Sequence, residues 1–148
     1  MLQDNPASAP YHWTHALTLT QALASVAPLT SRPNRTVALA ASQLVGFRAT
    51  LGRVRIDPSW TPADACGDLD AALAALPPDA ASQAWAAPES ERPEWWSAFA
   101  ARAGAHEDAH LAKYTLACHD AARADPIREE LFLAAAAYLL AWWSQGPG

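Results

Sequence analysis

The densest set of chemically capable residues in this 148-residue chain is the stretch His106-Glu107-Asp108-Ala109-His110-Leu111-Ala112-Lys113. Helical positions four apart lie one above the other, so His106 and His110 are predicted to share a face, and Lys113 stays on it. Two imidazoles so placed can ligate one divalent metal. The string also satisfies the HExxH pattern of helical zinc proteases, in which Glu107 acts as general base. Two features weigh against a protease: positions 111–116 supply no further histidine, and a protonated Lys113 repels a dication. The plainer reading is a solvated helix start, where Glu107 and Asp108 complement the helix dipole. On the residues alone both readings stand.

A second histidine pair, His12 and His15, sits in Tyr11-His12-Trp13-Thr14-His15. If that helix crosses the first, a third or fourth imidazole joins the same site. His15 falls on a stripe with Leu19, Ala22 and Val26, so it is expected to be buried and to need a partner. Cys66 and Cys118 lack CxxC spacing and read as small hydrophobes. There is no GxGxxG, GxxxxGK[ST] or GxSxG motif. The adjacent pairs Trp95-Trp96 and Trp142-Trp143 read as core and interface anchors.

Five or six helices must position these residues, with no convincing strand. The first is predicted from about Pro10 to Ala27 and the second from about Arg35 to Gly52, with Val54 to Ile56 as connection. Thr61-Pro62 predicts the start of a third helix, striped by Leu69, Leu73 and Leu76 and stopped by Pro77-Pro78. Asp79 to Pro93 is a polar, proline-bearing middle with a short helical turn near Ala81 to Ala86. A fourth helix is expected from Pro93 to Ala103, ended by Gly104. The fifth spans His106 to Ala124 and the sixth Ile127 to Ser144, which closes at Gly146-Pro147-Gly148. The expectation is an all-α, mostly antiparallel bundle forming a single domain over residues 1–148.

Composition bounds the function. The mass is 15.8 kDa with 51% hydrophobic and 17% charged residues, enough for one core and too apolar for wholesale disorder. A net charge of −5 and a pI near 5.4 argue against a nucleic-acid partner. The longest apolar run, Leu131 to Trp143, is too short for the roughly 20 residues of a membrane span. No secretory signal is read at Met1 to Pro10, so a cytoplasmic location is expected. Alanine, the best helix former, is the commonest residue, and seven tryptophans supply the bulk it lacks.

Two stretches resemble the questin oxidase family of oxidoreductases. Thr14-His15-Ala16-Leu17-Thr18-Leu19-Thr20-Gln21-Ala22 is similar to the family's TH-x-hydrophobic-T helix. Asp108-Ala109-His110-Leu111-Ala112-Lys113-Tyr114-Thr115-Leu116-Ala117-Cys118 is similar to its DEHxxK(F/Y)TEAC segment, with Ala109 and Leu116 where the family carries Glu. Asp125-Pro126 and Phe132 to Ala136 resemble its closing helix. The resemblance covers roughly the last third of family members.

The resemblance implies oxygen-dependent oxidation or ring cleavage of polycyclic aromatic polyketides. Its cofactors are non-haem iron in some members and NADPH as electron source. Carried over, it makes His15 and His110 candidate metal ligands and Lys113 the candidate catalytic residue, with His106 and His12 as second choices. Because the chain resembles only part of the family scaffold, apolar surfaces and a homo-oligomer or complementary chain are expected. The alternative is a non-catalytic helical module that binds a partner through tryptophan-bearing surfaces.

Overall fold

The computed structural model describes residues 1–3, 11–50 and 55–145, and among these every side chain except those of Tyr11 and His12. The His12 ligand, Pro10, Val54, the helix end at Gly52 and the close at Gly146 to Gly148 therefore lie outside the described residues. The architecture is all-α, as expected. Seven α-helices are present among the described residues: α1 (Tyr11–Val26), α2 (Pro33–Thr50), α3 (Leu69–Ala74), α4 (Pro77–Trp85), α5 (Arg92–Gly104), α6 (Ala109–Ala124) and α7 (Glu129–Ser144). Single 3₁₀ turns at Ala27–Leu29, Glu89–Glu91 and Pro126–Arg128 lead into α2, α5 and α7. No described residue is in a strand.

The helix count exceeds the expected five or six because the centre of the chain divides differently. Thr61-Pro62 starts no helix. The backbone stays irregular until Asp68, whose carboxylate caps α3 by accepting the Ala71 N–H at 2.8 Å. Just before it, Gly67 holds φ at +75°, and a Cβ there would meet the Ala86 carbonyl oxygen at 2.5 Å. Gln83 Oε1 fixes this corner by accepting the Gly67 and Asp68 N–H groups, each at 3.0 Å.

Pro77-Pro78 open α4 as well as ending α3. Both occupy first-turn positions, where a missing N–H costs nothing. The segment expected to be a polar middle with one helical turn is instead the best-buried short helix. Pro77, Ala80, Ala81, Ser82 and Ala84 all face inward.

That burial follows from the pairing of α4 with α7, the most extensive helix contact in the molecule. Every residue from Leu133 to Ala141 on α7 is buried. A helix apolar on all sides needs neighbours all around it, and α3, α4, α5 and α6 provide them. Alanines let the helices approach closely, while Trp95, Trp96 and Phe99 fill the spaces left. Phe99 meets the two indoles edge to face at 5.9 and 6.4 Å. Trp96 also donates its indole N–H to Glu129 Oε1 at 3.1 Å, and Glu129 Oε2 pairs with Arg92 at 3.2 Å. The Trp95-Trp96 pair is therefore core. No described helix is long and apolar enough to cross a membrane.

The first two helices are the exception to this burial. α1 packs on both α2 and α6. Its most buried positions are Thr14 and Thr18, one residue out of register with the expected stripe, and Val26 is exposed. Two partners demand two contact faces, which a single-stripe reading cannot place. α2 packs on α1 and the adjoining turn and has no fully buried residue.

Candidate functional site

Helix α6 begins at Ala109, so the HExxH reading loses its geometry. Asp108 is the N-cap and accepts the His110 N–H at 2.8 Å. His106 lies before the cap, outside the helix, and does not stack above His110. Its Nδ1 accepts the Asp108 N–H at 3.0 Å. The short polar side chain at 108 wins because it satisfies an N–H that a helix starting at His106 would have to pair elsewhere.

Asp108 is the hub of this end of the molecule. One oxygen meets His110 Nδ1 at 2.7 Å, and the other accepts the Trp143 indole N–H at 2.9 Å. The bond from the His110 backbone, then those from the His110 ring and the Trp143 indole, hold its carboxyl down at about 2. The arrangement ties the start of α6 to the end of α7.

The other candidates are placed as follows. His15 is half-buried and its ring lies 6.0 Å from that of Phe47 on α2. Lys113 is exposed in a shallow groove between α1 and α6, beside Thr18, Gln21 and Asp120. The two helices that carry the resemblance are thus packed together; His106 and His110 both bond to Asp108, whereas Lys113 lies in the groove beside α1. Among the described residues no three His, Cys, Asp or Glu side chains gather to hold a metal ion. Among the described residues, then, no assembled group fits the iron centre that the resemblance implies.

One turn into α6 the chemistry becomes apolar. Tyr114 and Cys118 are buried, and burial pushes both well above their ordinary pKa. Both stay protonated near neutral pH, and Cys118 is no thiolate nucleophile.

Tyr114 instead forms a wall of a cavity of about 280 Å³, together with Trp13 of α1, Trp60, Ile56, and Leu131 and Ala135 of α7. Met1, Leu2 and Gln3 cover part of it, and Arg55 is the cation at its rim. Gln3 is held there by exchanging two hydrogen bonds with the Asp57 backbone, at 2.8 and 3.0 Å. The volume is close to the lower end of small-molecule sites, roughly 300–1,000 Å³.

These lining residues were not foreseen. Trp60 stands in a segment without periodicity, and Tyr114 sits in the motif without a sign of which way it faces. A second overlooked signal is electrostatic: the chain from Tyr11 to Ile56 has five arginines and no acidic residue. It covers α1 and α2, where Leu29, Val37, Leu39 and Val45 are exposed.

No family model, curated protein or solved structure matches the chain. The fold and the site define an all-α bundle with an aromatic-walled cavity beside its two motif-bearing helices.

Proposed function

We propose that this chain is a questin oxidase-like oxidoreductase domain that binds a polycyclic aromatic polyketide between Trp13, Trp60 and Tyr114. The observation that carries this reading is the place of the cavity. The two helices whose sequences resemble the family each give it one aromatic wall residue, Trp13 of α1 and Tyr114 of α6, beside Trp60 and the α7 residues Leu131 and Ala135. Indole and phenol faces supply apolar area and stacking for a fused-ring ligand. Gln3 and Arg55 offer polar contacts for its oxygens. The bound ring system is oriented and screened from water by this chain, and the oxidation itself draws on NADPH and dioxygen. Since no metal-holding group is assembled among the described residues, no step is assigned to iron.

The test is a fluorescence titration with 1,8-dihydroxyanthraquinone. The reading expects saturable one-to-one quenching and an affinity about tenfold weaker in Trp60→Ala with helicity retained. Absence of saturation, or equal affinity in the variant, counts against it. Quinone-dependent uptake of dioxygen with NADPH then separates an enzyme from a module that only binds.

The second reading, a partner-binding module, is favoured by α2. Val45 is 71% and Val37 59% exposed there, and their spacing puts them about 80° apart on one side of the helix. The occupant that this face fits is a separate chain with an apolar stripe and acidic flanks. Self-pairing of α2 would oppose arginine to arginine. Light scattering and crosslinking with Val45→Glu test it: a complex that survives the variant removes the reading.

A further inference from the structure

On the other side of α6 lies a groove that the foregoing function does not use. It runs between α5 and α6, has a volume of about 320 Å³, and shares no lining residue with the Trp13–Trp60 cavity. Ala100, Ala103 and Gly104 of α5 and Ala112 of α6 make its small-residue surface. Trp96 and His119 meet edge to face at 5.3 Å as an aromatic wall. Leu116, 60% exposed, forms its lip.

The groove also contains an anomaly. Thr115 is 4% exposed, yet its hydroxyl finds no hydrogen-bond partner among the described residues. A threonine within a helix can return its hydroxyl to the carbonyl four residues earlier. Thr20 does so to Ala16 at 2.6 Å, whereas Thr115 does not. An unpaired buried hydroxyl is costly and calls for a reason. Apolar walls, one aromatic face and one unsatisfied polar atom are the usual composition of a small-molecule site.

We infer that the α5–α6 groove is a second ligand site, for a planar aromatic molecule bearing one hydroxyl or carbonyl that hydrogen-bonds to Thr115 Oγ1. The ring lies against Trp96 and Leu116. Because Thr115 Oγ1 is shut off from solvent, a turn of the side chain about χ1 must bring the hydroxyl, which can donate or accept, to the ligand oxygen. This site stands whether or not the Trp13–Trp60 cavity binds a polyketide, because no residue is common to both.

The test uses 2-naphthol and naphthalene as probes, with binding followed through the Trp96 indole N–H signal in NMR. Thr115→Val keeps the shape and removes the hydroxyl. It is expected to weaken 2-naphthol about tenfold, the scale of one hydrogen bond, and to leave naphthalene unchanged. Thr115→Ser restores 2-naphthol binding. Gly104→Phe places bulk in the groove at a position where an added Cβ meets nothing within 4 Å, and is expected to abolish binding of both probes. Equal 2-naphthol affinity in wild type and Thr115→Val overturns the inference and leaves a bridging water as the hydroxyl's partner. Binding that survives Gly104→Phe but falls in Trp60→Ala places the probe in the other cavity and also overturns it. So does a change of oligomeric state in Gly104→Phe, which makes the groove an interface between copies.

Discussion

The indole of Trp143 donates to the carboxylate of Asp108 at 2.9 Å, joining the last turn of α7 to the residue that caps α6. The same carboxylate carries the His110 backbone N–H and faces the His110 ring. A residue that reads in sequence as part of a metal motif is thus the clasp between two helices.

Loss of this clasp is expected to be visible. Asp108→Ala removes a cap worth about 1 kcal/mol and an indole bond of similar size, so denaturant unfolding should show a loss of about 1–3 kcal/mol. A loss below half a kilocalorie contradicts the clasp.

The clasp also has a pH signature. The carboxyl of Asp108 is held at about 2, below its ordinary 3.8. A depressed carboxylate adds stability that is fully present above the unfolded value and is lost as pH falls through the folded one. Asp108→Asn keeps a cap and loses the charge. The stability gap between wild type and this variant should be constant above about pH 5 and close progressively towards pH 2 and below. A gap that does not narrow on acidification contradicts the assignment.

Gly67 tests the corner that replaces the expected third helix. A Cβ at φ +75° is strained and collides with the Ala86 carbonyl. Gly67→Ala is therefore expected to cost about 2 kcal/mol or more in thermal or denaturant unfolding. A neutral substitution would show that the corner is looser than the Gln83 bonds imply.

The two thiols should behave differently. Cys66 is exposed, and Cys118 is fully buried with its thiol pushed up in pKa. One equivalent of thiol reagent should react with the native protein and a second only after unfolding. Two rapid equivalents would contradict the packing of α6 against the core.

Thr115→Val should stabilise the protein by about 1 kcal/mol, because it deletes a buried hydroxyl without a partner. A gain in stability together with weaker 2-naphthol binding is the pattern of a residue kept for function at a cost to folding.

The sequence was informative where local chemistry and packing agree. Leu131 to Trp143 reads as a buried helix because it is apolar on every side, and α7 is one. The Trp95-Trp96 pair reads as core and is core. Sequence reasoning failed where a tertiary partner decides. Pro77-Pro78 stops one helix and starts another, and only the alanine surface of α7 makes the second worth forming. His106 falls outside α6 because Asp108 is the better cap, a competition that spacing alone cannot judge. The cavity was hidden for the same reason: Trp13, Trp60, Tyr114 and Leu131 are far apart in the chain and share no motif.

The most direct measurement for the aromatic-binding account follows the indole N–H signals of the seven tryptophans by NMR while 1,8-dihydroxyanthraquinone is added. The account predicts saturable shifts of Trp13 and Trp60, which line the cavity, with buried Trp95 unmoved. Shifts confined to Trp96, or no saturable shift at Trp13 and Trp60, would contradict it.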